Sequence, residues 1–200
     1  MKITAIKQQE RLKGRYSIYI DERYAFSLSA DALLEEKLVP GFELDEQRLR
    51  YYKKLSVDDK AYGLVLAYLA RRMRSEGELT DYFFRKGYDT AFSRQLMKRL
   101  RQIGMVDDTK FAEAWVRNRR LLRQTSTRRL VQELRQKHVA DEIIEQVLHG
   151  DETDEDVMLQ ELVVRKRRLS RYQDDIKLVQ YLARQGFSYD AIKRALASGG

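Results

Sequence analysis

No cysteine occurs in this chain of 200 residues, and there is a single proline. The first absence excludes disulfides, thiolate metal sites and cysteine nucleophiles. Ten glycines and one proline leave little material for long loops. The abundance of Leu, Arg, Lys, Glu and Gln instead predicts long helices. Apolar runs of membrane-spanning length are missing, and the start, MKITAIKQQERLKGRY, has no apolar core of a secretory signal. A cytoplasmic location is expected. The sequence contains no G-x-x-x-x-G-K-[ST], no G-x-S-x-G and no paired dinucleotide glycines, so nothing points to an enzyme or a bound cofactor. Of two histidines, His149 lies near Asp151 and Glu152, but one histidine beside two acids makes a weak case, and no metal site is expected.

What is present is charge. The chain is 35% charged and 43% hydrophobic, with a formal net charge of +8. The excess is spread thinly: 12 basic against 11 acidic residues over 1–60, 9 against 6 over 61–108, and 9 against 7 in both 109–153 and 154–200. There is no basic tail. Attraction to nucleic acid or to an acidic protein surface must come from arginines arranged on folded faces.

Residues 1–28 differ from the rest. ITAIKQ, RYSIYI and RYAFSLS are rich in Tyr, Ile and Phe, the last two alternating with polar residues. Asp21-Glu22 forms a tight turn between them, so a three-stranded meander is expected. Such a sheet is marginal alone and should pack on a short helix over 30–38, stopped by Pro40-Gly41. A further helix is expected over 44–55, with Leu44, Leu49, Tyr52 and Leu55 facing inward.

From residue 56 onward the pattern is helical and repeats. Leu79, Leu130 and Leu178 align, followed one turn later by Phe83, Leu134 and Leu182. Lys86-Gly87, Lys137-His138 and Gln185-Gly186 then coincide, as do Tyr88, Val139 and Phe187. Ser75, Ser126 and Asp174 precede them as N-caps, and Ser75 with Glu78 makes a capping box. Each unit is expected to hold three helices. The first starts acidic (Asp58-Asp59, Asp107-Asp108, Asp154-Glu155-Asp156) and ends basic, in keeping with the helix dipole. The third carries Phe92 and Leu96, Ile144 and Leu148, or Ile192 and Leu196. The fold class is therefore mainly α: three tandem three-helix repeats over 56–106, 107–153 and 154–200, forming an elongated curved array, preceded by a small β-plus-helix head over 1–55. His138 stands at a glycine position and is expected to be a left-handed helix stop. Trp115, one turn after Phe111, is expected in a core. Tyr82 or Phe84 is the aromatic expected to be exposed.

The candidate binding residues are the repeated arginines: Arg71, Arg72, Arg74, Arg117, Arg119, Arg120, Arg123, Arg128, Arg129, Arg165, Arg167, Arg168 and Arg171. Dipole compensation decays within a turn, and Arg128-Arg129 open a helix, where cations are unfavourable. Arg72, Arg123 and Arg171 share one repeat position. Arg119 with Arg123, and Arg167 with Arg171, are four apart and are expected on one helical face. A ridge of planar, bidentate donors suits phosphates or carboxylates.

RRMRSEGELTDYFFRKGY, LRQIGMVDDTKFAEAWVRNR and STRRLVQELRQKHVADEIIEQVL resemble the RecX family of bacterial regulatory proteins over most of residues 60–200. The marks that carry the resemblance are Arg72, Ser75, Glu78-Leu79, Asp107-Asp108 and Phe111-Ala112. RYSIYIDERYAFSLS looks like the N-terminal extension some members have. Thr125-Ser126 stands where a Gly-Pro pair is common in the family, and His138 replaces its usual glycine. The resemblance implies a non-enzymatic modulator that binds in the groove of the RecA–DNA filament and inhibits strand exchange, ATP hydrolysis and coprotease activity in DNA repair and the SOS response. It also implies DNA binding by many members, and the scattered arginines lead to the expectation that binding to single- or double-stranded DNA is weak and salt-dependent. No membrane partner and no cofactor are expected, and a monomer is expected. The alternative is a helical-repeat DNA-binding module that acts without a recombinase.

Overall fold

The computed structural model describes residues 1–198 and divides into two units, Met1–Arg72 and Met73–Gly200. In the first, β1 (Ile3–Gln8), β2 (Arg15–Ile20) and β3 (Arg23–Ser29) pair antiparallel in that order. Asp21 and Glu22 both have positive φ, 46° and 67°. That is the conformation whose twist matches a two-residue hairpin. Ile3, Ile18, Ile20, Phe26 and Leu28 form one buried face of the sheet, joined by Leu38, Leu44 and Tyr52.

α1 (Ala30–Glu35) is shorter than the expected 30–38 helix. It stops before Pro40 because Lys37 turns left-handed, φ 50°, and the Lys37 and Leu38 N–H groups fold back onto the Leu34 and Leu33 carbonyls. The sheet packs more on α2 (Glu46–Leu69) than on α1. Here the sequence reading needs correction. The helix over 44–55 and the one starting at Asp58-Asp59 are a single helix, since Leu55-Ser56-Val57 contains no breaker. Asp59 does not begin a helix. It is a polar anchor for the sheet: Arg15 Nη1 meets its Oδ2 at 2.7 Å, and Ser29 donates to it through N–H at 2.8 Å and Oγ–H at 2.6 Å.

The second unit contains α3 (Glu76–Arg85), α4 (Thr90–Gln102), α5 (Asp108–Arg123), α6 (Thr127–Arg135), α7 (Asp141–His149), α8 (Glu155–Arg167), α9 (Asp175–Arg184) and α10 (Tyr189–Ser198). The chain is thus mainly helical, with three three-helix domains after a three-stranded antiparallel sheet. The aligned positions behave alike. Ser75, Ser126 and Asp174 each accept backbone N–H groups as N-caps of α3, α6 and α9. Leu79, Leu130 and Leu178 are fully buried, as are Leu134 and Leu182, with Phe83 nearly so. Gly87, His138 and Gly186 all end their helices with positive φ, 70°, 56° and 95°. Behind each, the next N–H closes a Schellman turn: Tyr88 to Phe83, Val139 to Leu134, Phe187 to Leu182.

Successive repeats are joined by the same chemistry. The N–H following the N-cap is taken by the acid that opens the first helix of the next repeat: Glu76 N–H by Asp108 Oδ1 at 2.8 Å, and Thr127 N–H by Glu155 Oε2 at 2.8 Å. The carbonyl ending the next middle helix also returns to the cap. Ser75 Oγ–H donates to the Lys137 carbonyl at 2.6 Å, and Ser126 N–H donates to the Gln185 carbonyl at 3.1 Å. Asp108 and Glu155 therefore do more than offset a helix dipole: they satisfy orphan N–H groups of a neighbour.

Candidate nucleic-acid and partner interface

The thirteen candidate arginines fall into two populations. Arg119, Arg120, Arg129, Arg167 and Arg74 are half-buried and occupied within the protein. Arg119 lies on α5 above Trp115, 4.4 Å from the ring centre, and its Nε donates to Glu133 Oε2 on α6 at 2.5 Å. Trp115 Nε1–H reaches the same oxygen at 2.9 Å, and Arg129 reaches the other at 3.2 Å. Burial pushes the Glu133 carboxyl up, but these three donors outweigh it and hold it below its usual range. Trp115 is thus partly buried, with one face under a guanidinium, and is committed to the repeat.

Arg120 is a second internal tether. Its side chain donates to Asp151 at 2.8 Å, to the Thr125 carbonyl at 2.6 Å and to Thr127 Oγ1 at 2.8 Å. Glu155 Oε2 lies 3.6 Å away. Asp151 is likewise pushed up by burial and, on balance, lowered by its bonds from Thr153 and Arg120. Arg129, whose place at a helix start the dipole could not explain, also donates to the Arg184 carbonyl in the next repeat. Arg167 bonds to Asp175 and to the Gln173 carbonyl. Arg74 sits 4.0 Å from Glu78, whose carboxylate meets Lys137 Nζ at 2.8 Å.

Arg71, Arg72, Arg117, Arg123, Arg128, Arg165, Arg168 and Arg171 are exposed. Arg171 lies over the Tyr172 ring at 5.7 Å. It does not share a helical face with Arg167. α8 ends at Arg167, and Arg171 sits on a separate 3-10 turn, Ser170–Tyr172. Arg119 and Arg123 do share α5, but only Arg123, its last residue, faces solvent. Arg117 projects from the side of α5 opposite Phe111, Ala112 and Val116. Arg165 is exposed on α8.

Sequence reasoning missed the acids that hold the basic residues, namely Glu133, Asp151 and Glu155. A signal existed for Glu133, which lies four residues after Arg129. None existed for Asp151, whose partner lies 31 residues away. Of the aromatics, Phe84 is exposed, while Tyr82 is half-buried with Lys86 over its ring at 5.6 Å. Among the described residues no cluster of His and acidic side chains has metal-holding geometry. No helix there is long and apolar enough to cross a membrane.

Comparison with known proteins covers almost the whole chain. Residues 1–45 match the regulatory protein RecX N-terminal domain. Residues 61–104, 107–148 and 154–196 match the first, second and third RecX three-helix domains. The regulatory protein RecX of Bacillus pumilus is 33% identical over 203 residues, spanning 97% of this chain and 76% of that protein. A crystal structure of regulatory protein RecX aligns with TM-score 0.71 at 29% identity, over 96% of this chain and 98% of that one. The crystal structure of RecX from Lactobacillus salivarius shares the fold, with TM-score 0.58 at 22% identity, over 71% and 96%.

Proposed function

The chain belongs to the RecX family of regulatory proteins, and from that premise we propose that it binds the RecA–DNA filament and restrains it. The restraint acts on recombination, ATP hydrolysis and coprotease function during DNA repair and the SOS response, in the cytoplasm, and the acting species is a monomer. The observation that carries this reading is the succession of four RecX segments in order along the chain. The family is one of regulators, and the protein acts by binding rather than by catalysis.

The means of binding is the exposed arginine population. Arg71, Arg117, Arg123, Arg128, Arg165 and Arg168 have no partner among the described residues. Unpaired guanidiniums on folded helices suit phosphates or acidic subunit surfaces. DNA binding through them is weak and salt-dependent, because each neutralised phosphate releases counterions. The test is recombinase ATPase on single-stranded DNA with and without the protein. Suppression at protein concentrations too low to coat naked DNA supports the filament as the target. Loss of ATPase only in step with coverage of DNA would favour a DNA-binding module without a recombinase partner.

A further inference from the structure

The middle helix of each repeat ends in the same carbonyl-bearing turn, and two of the three turns grip another helix. In α6 the turn closes on Lys137-His138. The Lys137 carbonyl accepts Ser75 Oγ–H at 2.6 Å, and His138 lies directly against Gly77 in the first turn of α3. In α9 it closes on Gln185-Gly186. The Gln185 carbonyl accepts Ser126 N–H at 3.1 Å, the Arg184 carbonyl accepts from Arg129, and a Cβ on Gly186 would fall 2.6 Å from Arg129 Cβ. In both, exposed carbonyls at one helix end receive the N-terminus of another. That N-terminus brings its N–H groups, a serine cap and the positive end of its dipole.

The third turn, at the end of α3, is built the same way and grips nothing. Gly87 has φ 70°, and Tyr88 N–H returns to the Phe83 carbonyl at 3.1 Å. Yet Arg85, Lys86 and Gly87 are all exposed, and nothing lies within 4 Å of the place a Gly87 Cβ would take. The Arg85 and Lys86 carbonyls accept no hydrogen bond among the described residues. Beside them Phe84 is 85% exposed, where the equivalent positions hold Arg135 and Ala183.

We propose that the Arg85–Tyr88 turn, with Phe84, is a docking surface for the N-terminus of a partner protein's helix, one capped by serine or threonine. The placement rests on the filament-binding function proposed above, and the partner is the recombinase in the filament. Two internal copies show what this turn receives. A Ser or Thr hydroxyl suits the cap because it can accept an N–H and donate to a carbonyl at once, as Ser75 does. A second copy of this chain is a poor occupant. Its α9 is capped by Asp174, whose Oδ1 is taken by Ile176 and Lys177 N–H groups and which, ionised, lacks the side-chain proton that Ser75 gives the Lys137 carbonyl, leaving only a backbone N–H of the kind Ser126 uses.

Recombinase filaments formed on single-stranded DNA with a slowly hydrolysed ATP analogue are the probe. Phe84→Ala lowers filament affinity about tenfold or more, the loss typical of an aromatic anchor in an interface. Its melting temperature and affinity for naked single-stranded DNA stay as in the wild type. Wild-type filament affinity in Phe84→Ala overturns the docking surface and leaves the functional reading standing. A wild-type protein that does not bind filaments overturns both. Phe84→p-benzoylphenylalanine, photolysed on the filament, attaches to a recombinase peptide at the start of a helix bearing Ser or Thr. Attachment to DNA, to a second copy of this chain or to a recombinase segment of another kind overturns the proposal.

Discussion

Glu133, inside the second repeat, and Asp108, at the joint with the first, are both partly buried carboxylates, and they are expected to respond to pH in opposite senses. For Glu133, burial raises the pKa, but bonds from Arg119, Trp115 and Arg129 prevail and the net shift is downward from 4.5. A lowered folded-state pKa contributes stability above the unfolded value, and that contribution is lost as pH falls through the folded one. Glu133→Gln therefore costs about 1–3 kcal/mol at pH 7, since it weakens three bonds and leaves Arg119 less well paired. The gap from wild type narrows in urea melts run below about pH 4. A gap that stays constant with pH would show that the carboxylate charge is immaterial. For Asp108, burial dominates and the net shift is upward from 3.8. A raised folded-state pKa makes the ionised form a cost that appears as pH rises through it. Asp108→Asn keeps an oxygen for the Glu76 N–H and removes that cost. Its stability at pH 7 equals or exceeds that of the wild type, and the difference closes in acid.

The middle helices show how a single cap can serve two repeats. Ser75 and Ser126 are both fully buried caps, but only Ser75 Oγ also donates to the next repeat's carbonyl. Ser126 meets that repeat through its N–H instead, which alanine retains. Ser126→Ala should therefore cost about 1 kcal/mol, the usual value of a cap. Ser75→Ala should cost about 1 kcal/mol more, because the Lys137 carbonyl loses its partner. Equal losses in denaturant melts would refute the double role. Leu134→Ala, at a fully buried site, costs more than either, about 2–5 kcal/mol. These elements were legible in the sequence because caps, apolar spacing and left-handed stops are local and recur three times. The continuity of α2 was hidden by the same habit of reading. Asp58-Asp59 resembles an acidic helix start in every local respect, and only the distant Arg15 and Ser29 give Asp59 its role. The basic residues were found, but their division into engaged and exposed sets was not, because the acids that engage them come from other elements, such as Asp151 for Arg120.

At the scale of the whole molecule, the same side-chain tether recurs: Arg120 on α5 ties to the Thr125 carbonyl and Asp151, and Arg167, at the matching place on α8, ties to the Gln173 carbonyl and Asp175. Arg117, Arg123, Arg128, Arg165 and Arg168 lie exposed beside these engaged residues. Internal pairing thus helps set which arginines are available to a ligand, and formal charge alone does not. Two quadruple variants separate these effects while removing the same charge. Replacing Arg117, Arg123, Arg128 and Arg165 by Ala takes away side chains without internal partners, and Ala is well tolerated at such helical positions. The melting temperature should barely change. Affinity for single-stranded DNA should fall, and the slope of log affinity against log salt should shrink by about 0.7 for each phosphate no longer neutralised, up to roughly 3 for all four arginines. Replacing Arg119, Arg120, Arg129 and Arg167 by Ala instead removes the arginine partners of Glu133, Asp151 and Asp175. That variant should melt well below the wild type, since removing one partner of a buried ion pair is strongly destabilising. While still folded at low temperature, it should keep most of the wild-type salt slope. If both variants instead lose DNA affinity and slope equally, phosphates respond to net charge and the division of the arginines has no bearing on binding. If the first variant alone loses both, the DNA-binding surface consists of the cations that the repeat joints leave unused.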